Sequence, residues 1–325
     1  MRPRMTQERL AEAAYWYYVE GLGQDEVAVR VGTSRSNVSR MLRAARDQGI
    51  VRFEIVYPIR RLLSLEQTLQ ETFSDNGVRA VRVAAAPTER DEFSAGQAGI
   101  LAVARSGADW LQENLRNGET VGLFWGSTAR AMVDVAHFDR KVDAHVVQLA
   151  GEWSNNPNRS GHDLVRDLAG KLGGRYTYFN APAFAATEQD AEALLAEPQV
   201  AASLSLAHAT DICLLGVGSF LEGTTAVFLQ QANATEEEIS EARDKGVVGQ
   251  LAGRFFDRDG VQVTLALHQR LVSLDLTDLR EAKTVVVLAS GAQKCEAVAG
   301  AIRGGLIDVL ICDQPLAEAL VSVGW

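Results

Sequence analysis

The sequence predicts an α/β chain: an N-terminal winged helix-turn-helix, then a large, doubly wound, mostly parallel α/β domain. Three observations carry that prediction. Residues 24–46 combine a small residue, a glycine, hydroxyls and arginines at the spacing of two helices joined by a tight turn. From residue 78 onward, apolar strand-like runs alternate with amphipathic helical stretches, the pattern of a mostly parallel sheet covered on both faces. Several of those strands end in glycine and hydroxyl residues just before a helix.

The first element is a helix over residues 6–20, closed by Gly21-Leu22-Gly23. Tyr15, Trp16, Tyr17 and Tyr18 crowd its end; some must pack beneath the next helices, while others are free to face a partner subunit. In the helix-turn-helix, Ala28 is small where two crossing helices approach, and Gly32 stands where the turn needs positive φ. Thr33 or Ser34 then caps the second helix through its hydroxyl. Val38, Met41 and Leu42 give that helix one apolar stripe. Its other face offers Arg35, Ser36, Asn37, Arg40 and Arg43, suited to base edges and phosphates. With Thr33 and Ser34 these are the candidate DNA-contacting residues, and Arg46 leans towards phosphates. Val51, Phe53 and Ile55 alternate directly afterwards, as a short strand or wing would.

Charge separates this segment from an ordinary solvated αα-hairpin. Six arginines face one acid, Asp47, between residues 30 and 52, in a chain of net charge -10. Residues 1–56 hold nine Arg against seven acids, a net of +2, whereas the remainder holds 23 Lys+Arg against 35 acids, a net of -12. A basic head on an acidic body keeps the body from collapsing non-specifically onto DNA. At 325 residues and 47% hydrophobic composition there is room for two domains, the larger with a full core. Cys213, Cys295 and Cys312 are widely spaced and read as reduced core thiols. Metal-ligand spacing and cofactor motifs are absent, as are a leader and an apolar run of membrane-spanning length, so a soluble, cytoplasmic protein with no membrane partner is expected.

Residues 1–57 are thus read as the DNA-binding domain, 58–76 as a helical linker and 77–325 as the effector and oligomerisation domain. Pro58 breaks the chain after the wing. Leu62, Leu63, Leu65, Leu69 and Phe73 then form a mostly helical apolar pattern, which either pairs with its twin in a dimer or packs on its own large domain. Strands are expected at 78–84, 120–124, 145–149, 176–180, 211–217, 284–289 and 309–312, with helices at 91–116, 127–136, 162–172, 188–208, 235–244, 293–303 and 315–322. Ligands of such sheets bind in the crevice at the carboxyl ends of the strands. Four strand ends carry the right chemistry: Trp125-Gly126-Ser127-Thr128, Gly151-Glu152 with Asn155, Gly216-Val217-Gly218-Ser219, and Ser290-Gly291-Ala292-Gln293-Lys294. Their backbone N–H groups, hydroxyls and one lysine suit a small anion.

Taken in order, these segments resemble the SorC family of sugar-responsive bacterial transcription regulators, the DeoR-related, central-glycolytic-regulator type, over nearly the whole chain. The most specific parts are residues 24–46, Trp125-Gly126-Ser127-Thr128, Gly253-Arg254-Phe255-Phe256-Asp257, and the block from Ala289-Ser290-Gly291-Ala292-Gln293-Lys294 through 303–310. The resemblance implies an effector domain shaped like sugar-phosphate isomerases and deaminases, usually binding a phosphorylated sugar, in dimers that associate into tetramers on operator DNA. It also implies that Ser127 and Thr128 help bind the ligand, that Gly151 and its neighbours form a second ligand loop, that Asp257 faces sugar hydroxyls, and that Lys294 lies near the ligand anion. Two positions depart from the family. Ala150 stands where some members carry lysine or arginine, and Glu152 would repel a phosphate unless it turns outward. A neutral sugar or polyol therefore stays open beside a sugar phosphate.

The expected effector-binding set is Gly126, Ser127, Thr128, Gly151, Glu152, Asn155, Gly216, Gly218, Asp257, Gln293 and Lys294. A sugar-phosphate isomerase or deaminase with a DNA-binding appendage is the main alternative, and it needs a poised base. His137, His145, His162, His208 and His268 are scattered, only His162 lies near a candidate loop, and Asp257 has no evident partner. No catalytic residue is assigned. An architectural DNA-binding protein without effector would need far less chain than this body supplies.

Overall fold

The computed structural model describes residues 6–53, 60–85, 94–152 and 160–323. It divides into two compact units, Met1–Pro58 and Ile59–Trp325. The first contains α1 (Gln7–Ala14), α2 (Gln24–Arg30) and α3 (Arg35–Asp47). Leu10, Ala13, Val27, Ala28, Val38, Met41, Leu42 and Ala45 are buried together as its core, so the apolar stripe of α3 faces inward. After α1 the helix widens into a π turn over Tyr15–Val19, with the N–H of Glu20 donating to the carbonyl of Tyr15 at 3.1 Å. Trp16, Tyr17 and Tyr18 pack on the core, Arg30 lies 4.3 Å over the Trp16 ring, and Tyr15 is half exposed. The expected wing falls mostly outside the described residues. Val51, Arg52 and Phe53 form no strand there, although Phe53 meets Tyr18 edge-on.

The second unit runs α4 (Leu63–Phe73), β1 (Ala80–Ala84), α5 (Ala95–Asn114), β2 (Thr120–Leu123), α6 (Ser127–Val135), β3 (His145–Gln148), α7 (Gly161–Leu172) and β4 (Arg175–Thr177). It continues with α8 (Glu188–Ala196), α9 (Pro198–His208), β5 (Ile212–Gly216), β6 (Gly218–Ser219), α10 (Gly223–Gln231), α11 (Glu236–Asp244), β7 (Val247–Leu251), β8 (Arg254–Asp257) and β9 (Gln262–Val263). The last elements are α12 (Leu276–Glu281), β10 (Thr284–Ala289), α13 (Cys295–Arg303), β11 (Val309–Asp313) and α14 (Gln314–Val321).

Seven strands form one wholly parallel sheet in the order β1-β11-β10-β5-β2-β3-β4. Its central strands are apolar runs, such as Thr-Val-Val-Val-Leu-Ala in β10, buried along almost their full length. That is what burial on both faces demands. From β2 the chain winds outward to β3 and β4; from β5 it winds the other way to β10 and β11. The switch point therefore lies between β2 and β5, where a crevice opens at the strand ends. The linker helix α4 packs on its own domain through Leu69 and Phe73, both fully buried, while Leu63 stays exposed.

Three local expectations are corrected. The single helix expected at 188–208 is two, because Pro198 starts a new one and Glu197 before it is extended. The strand expected at 176–180 is shorter and shifted, spanning Arg175–Thr177. A second, antiparallel sheet, β6-β7-β8-β9, has no counterpart in the sequence reading. Two of its strands are only two residues long, and its central hairpin turns through Ala252 at φ 50 rather than through an asparagine or aspartate. Helices α10 and α12 were likewise unanticipated; α10 has no side-chain cap to announce it and α12 is six residues long.

Candidate functional site

In the first unit, Ser34 is the cap of α3, its hydroxyl accepting from the Asn37 N–H. Thr33 serves differently: its hydroxyl accepts from the Asn37 side-chain amide at 2.7 Å, which fixes that side chain over the start of the helix. Gly32 takes φ +64 in the turn, the left-handed conformation that favours glycine. The result is one exposed face carrying Arg35, Ser36, Arg40, Arg43 and Arg46, with Asn37 half buried among them. Arg35 lies 3.9 Å from Asp25, a loose and fully solvated pairing that leaves the guanidinium available.

In the second unit, a cavity of about 190 Å³ sits at the switch point. It is lined by Ser127 and Thr128 from the start of α6, Gly218 and Glu222 around the start of α10, and Gln293 and Lys294 before α13. A narrow recess beside it reaches Trp125, Gly126, Gly216 and Gln250. Gly126 and Glu222 precede α6 and α10, and neither supplies a side-chain cap. The Ala292–Lys294 turn follows Gly291, whose N–H is taken by the Asp313 carboxylate. Two helix starts without a side-chain cap thus lie on one space, each with the positive end of its peptide dipoles.

Lys294 supplies the full charge. It is half buried, and among the described residues its ammonium has no hydrogen-bond or ion-pair partner. Burial pushes it below the ordinary lysine range, opposed by the Asp313 carboxylate. Of the neutral polar groups, Gln250 lines the recess and Thr225 lies behind Gly218. Gln250 accepts from the Gly253 N–H at 2.9 Å, which turns its amide nitrogen towards Gly218. Thr225 is fully buried, and among the described residues its hydroxyl has no partner. A Cβ on Gly218 would fall 2.2 Å from that hydroxyl and 2.7 Å from the Gln250 nitrogen, so the glycine is there for close approach.

Seven expected residues converge on this space: Gly126, Ser127, Thr128, Gly216, Gly218, Gln293 and Lys294. Three do not. Gly151 is glycine because a Cβ would meet the Pro182 carbonyl oxygen at 2.3 Å, and its N–H donates to Val272. The Glu152 carboxylate accepts from the N–H groups of Gly161 and His162 at 3.1 and 3.0 Å. It therefore neutralises the start of α7 and does not face the cavity. Asp257 closes the β8–β9 turn, accepting from the N–H groups of Asp259 and Val261. Asn155 lies outside the described residues.

His162 is also structural: its ring bonds the Phe179 carbonyl at 3.0 Å and stacks on Tyr178. His268 is buried beside Arg254, and burial, helped by that cation, pushes it down to about 3. Arg254, central to the Gly-Arg-Phe-Phe-Asp stretch, is buried and donates to the carbonyls of His268, Ser273 and Leu274. That stretch is a scaffold rather than a ligand loop. Sequence reasoning missed Gln250 and Glu222. Gln250 belongs to the unanticipated sheet and Glu222 precedes α10, so no pattern announced them.

The family model for a sugar-binding domain (Sugar-bind) matches residues 57–322. The chain is 27% identical over 310 residues to the transcriptional regulator YjhU of Escherichia coli K12, covering 95% of this chain and 93% of that protein. It is 27% identical over 321 residues to the deoxyribonucleoside regulator of Bacillus subtilis strain 168, covering 98% and 99%. Among solved structures, the full-length sorbitol operon regulator SorC from Klebsiella pneumoniae superposes with a TM-score of 0.72 at 24% identity, over 97% of this chain and 99% of that one, a likeness of fold.

Proposed function

The chain belongs to the SorC family of sugar-binding transcriptional regulators, and from that premise we propose that it is a DNA-binding regulator of carbohydrate or polyol metabolism controlled by a small phosphorylated effector. One observation carries the choice of effector: two helix starts without side-chain caps, and a Lys294 that is unpaired among the described residues, lie on a single cavity. Glu152, which weighed against a phosphate on sequence grounds, is spent on the start of α7. The anion then lies against Ser127, Thr128 and Lys294. Hydroxyls of the carbon chain meet the Gln250 amide and the exposed Glu222 carboxylate.

On the DNA side, Arg35, Ser36, Asn37 and Arg40 read one half-site per subunit of a homodimer or homotetramer, while Arg43 and Arg46 bind phosphates. Effector and operator are linked: whatever factor the effector applies to operator affinity, the operator applies to effector affinity. The reading is supported by the kinship with named regulators, which also favours binding without turnover.

A thermal-shift screen of sugars, polyols and their phosphates tests it. A phosphorylated ligand at ~100 times its Kd should stabilise the wild type by about 2.7 kcal/mol. Its neutral parent should do much less. Silence across the panel, or product formation from any member, refutes the proposal.

A further inference from the structure

Asp313 is the last residue of β11, almost fully buried, and plays no part in the lining of the cavity. Its carboxylate nonetheless holds the cavity wall. One oxygen accepts from the Ser290 hydroxyl at 2.6 Å, and the Gly291 N–H donates to both oxygens at 3.0 Å. Ser290 and the Gln293–Lys294 segment beyond it line the cavity. The same carboxylate caps α14, accepting from the Leu316 N–H at 3.2 Å. From the third side α5 closes in: a Cβ on Gly99 would lie 2.5 Å from Asp313 and 2.7 Å from the Ser290 hydroxyl. The group has no slack.

Two paths lead from it to the root of the linker. Along the sheet, Asp313 stands in register beside Ala84 at the end of β1. Ala84 in turn pairs antiparallel with Arg61. That pairing is fastened by Leu62 N–H to the Val83 carbonyl at 2.9 Å and Ala85 N–H to the Arg60 carbonyl at 2.8 Å. Glu66 locks it: buried on α4, its carboxylate takes the Arg61 guanidinium through two bonds and the Val83 N–H at 2.9 Å. Through the helices, α14 packs on both α4 and the Ala292–Lys294 turn.

The geometry points to Asp313 as a positioning residue that couples occupancy of the cavity to the Arg61–Glu66 clamp at the linker root. This rests on the anion reading of the cavity given above. An anion drawn to Lys294 pulls on the Ser290–Lys294 turn. Because one rigid carboxylate serves that turn and the start of α14, the helix must follow, and α4 with it. The influence is mutual, since coupling between sites is reciprocal. Residues 60–62 are the last part of this unit before the chain passes to the DNA-binding unit, so the clamp is where a change can be handed on.

Amide hydrogen exchange on the full chain tests the assignment, with inorganic phosphate as probe. In the wild type, phosphate should slow exchange of the Leu62, Val83 and Ala85 amides together with that of Gly291 and the first turn of α6. An effect of about fivefold is the low end of ordinary coupling between sites. In D313N, phosphate should still slow the first turn of α6 but lose its effect at residues 62, 83 and 85. A merely structural Asp313 would lower protection throughout and leave that response in proportion.

R61A supplies the reverse test without ligand: exchange at Gly291 and Leu316 should rise along with that of residues 62–85. Phosphate protection confined to the cavity, an intact response in D313N, or an R61A effect confined to residues 60–85 would each overturn the assignment. Phosphate slowing no amide at all would instead sink the anion reading of the cavity, and the R61A arm would still decide the role of Asp313.

Discussion

Replacing Lys294 by methionine removes the one full positive charge that the described residues bring to the cavity, while keeping the apolar stem. A charge-assisted hydrogen bond to a phosphoryl oxygen contributes about 1.5–3 kcal/mol. K294M should therefore weaken a phosphorylated effector by roughly 10- to 150-fold, and its neutral parent far less. The variant should fold well, because the wild-type ammonium is partly desolvated without gaining a partner among the described residues. The pH dependence gives the prediction a second edge. Burial lowers the lysine below its unfolded value, so between the two values the unfolded chain holds more protons than the native one. Stability of the ligand-free protein should consequently rise with pH through that window, and the rise should be missing in K294M. Effector affinity should run the opposite way, falling as the free-site lysine deprotonates, with proton uptake on binding. Calorimetric titration in two buffers of different ionisation enthalpy measures affinity and proton uptake together. Equal loss of affinity for the phosphorylated and the neutral ligand would refute the reasoning, as would wild-type affinity in K294M.

G218A places a methyl 2.2 Å from the Thr225 hydroxyl; overpacking of this kind costs ~1–3 kcal/mol. Effector binding should fall with it, and T225A in the same chain should recover part of both losses in thermal shift. Among the described residues, R254M leaves the Ser273 carbonyl without a donor and Asp275 without its cation, while the carbonyls of His268 and Leu274 keep the Leu271 N–H and the Ser273 hydroxyl. At ~1–3 kcal/mol for an abandoned buried group, a loss of about that size should appear as a lower urea midpoint at unchanged slope. On DNA, R35A or R40A should each cost ~1–3 kcal/mol and relax the preference at one base position. R43A should instead weaken all sequences alike and reduce the salt slope by about 1, as fluorescence anisotropy against salt would show.

Much of the architecture was legible before any coordinate. The helix-turn-helix rests on short-range chemistry: Gly32 for the turn, Ser34 for the cap, and Val38, Met41 and Leu42 at helical spacing. All of these act within a few residues of one another. The parallel strands were equally plain, because a strand buried on both faces must be an apolar run, as in β10 and β11. Lys294, Ser127 and Thr128 could be singled out because a strand end leading into a helix is itself a local pattern.

Where side chains point was a different matter, since that depends on partners far away in the chain. Glu152 read as a carboxylate in the ligand loop, yet the start of α7 claims it. Asp257 read as a sugar contact, yet the turn after β8 uses both the residue and its charge. Gln250 reaches the recess only because β6 and β7 pair at Gly218. Nor does Asp313 stand out in the sequence; its connections run to residues 290, 291 and 316 and, across a strand, to 84 and 61. Periodicity and capping are written into neighbouring residues, so the sequence alone determined the elements and their order. Which polar groups are consumed by the scaffold and which stay free for a ligand is settled by long-range packing, and only the tertiary structure decided that.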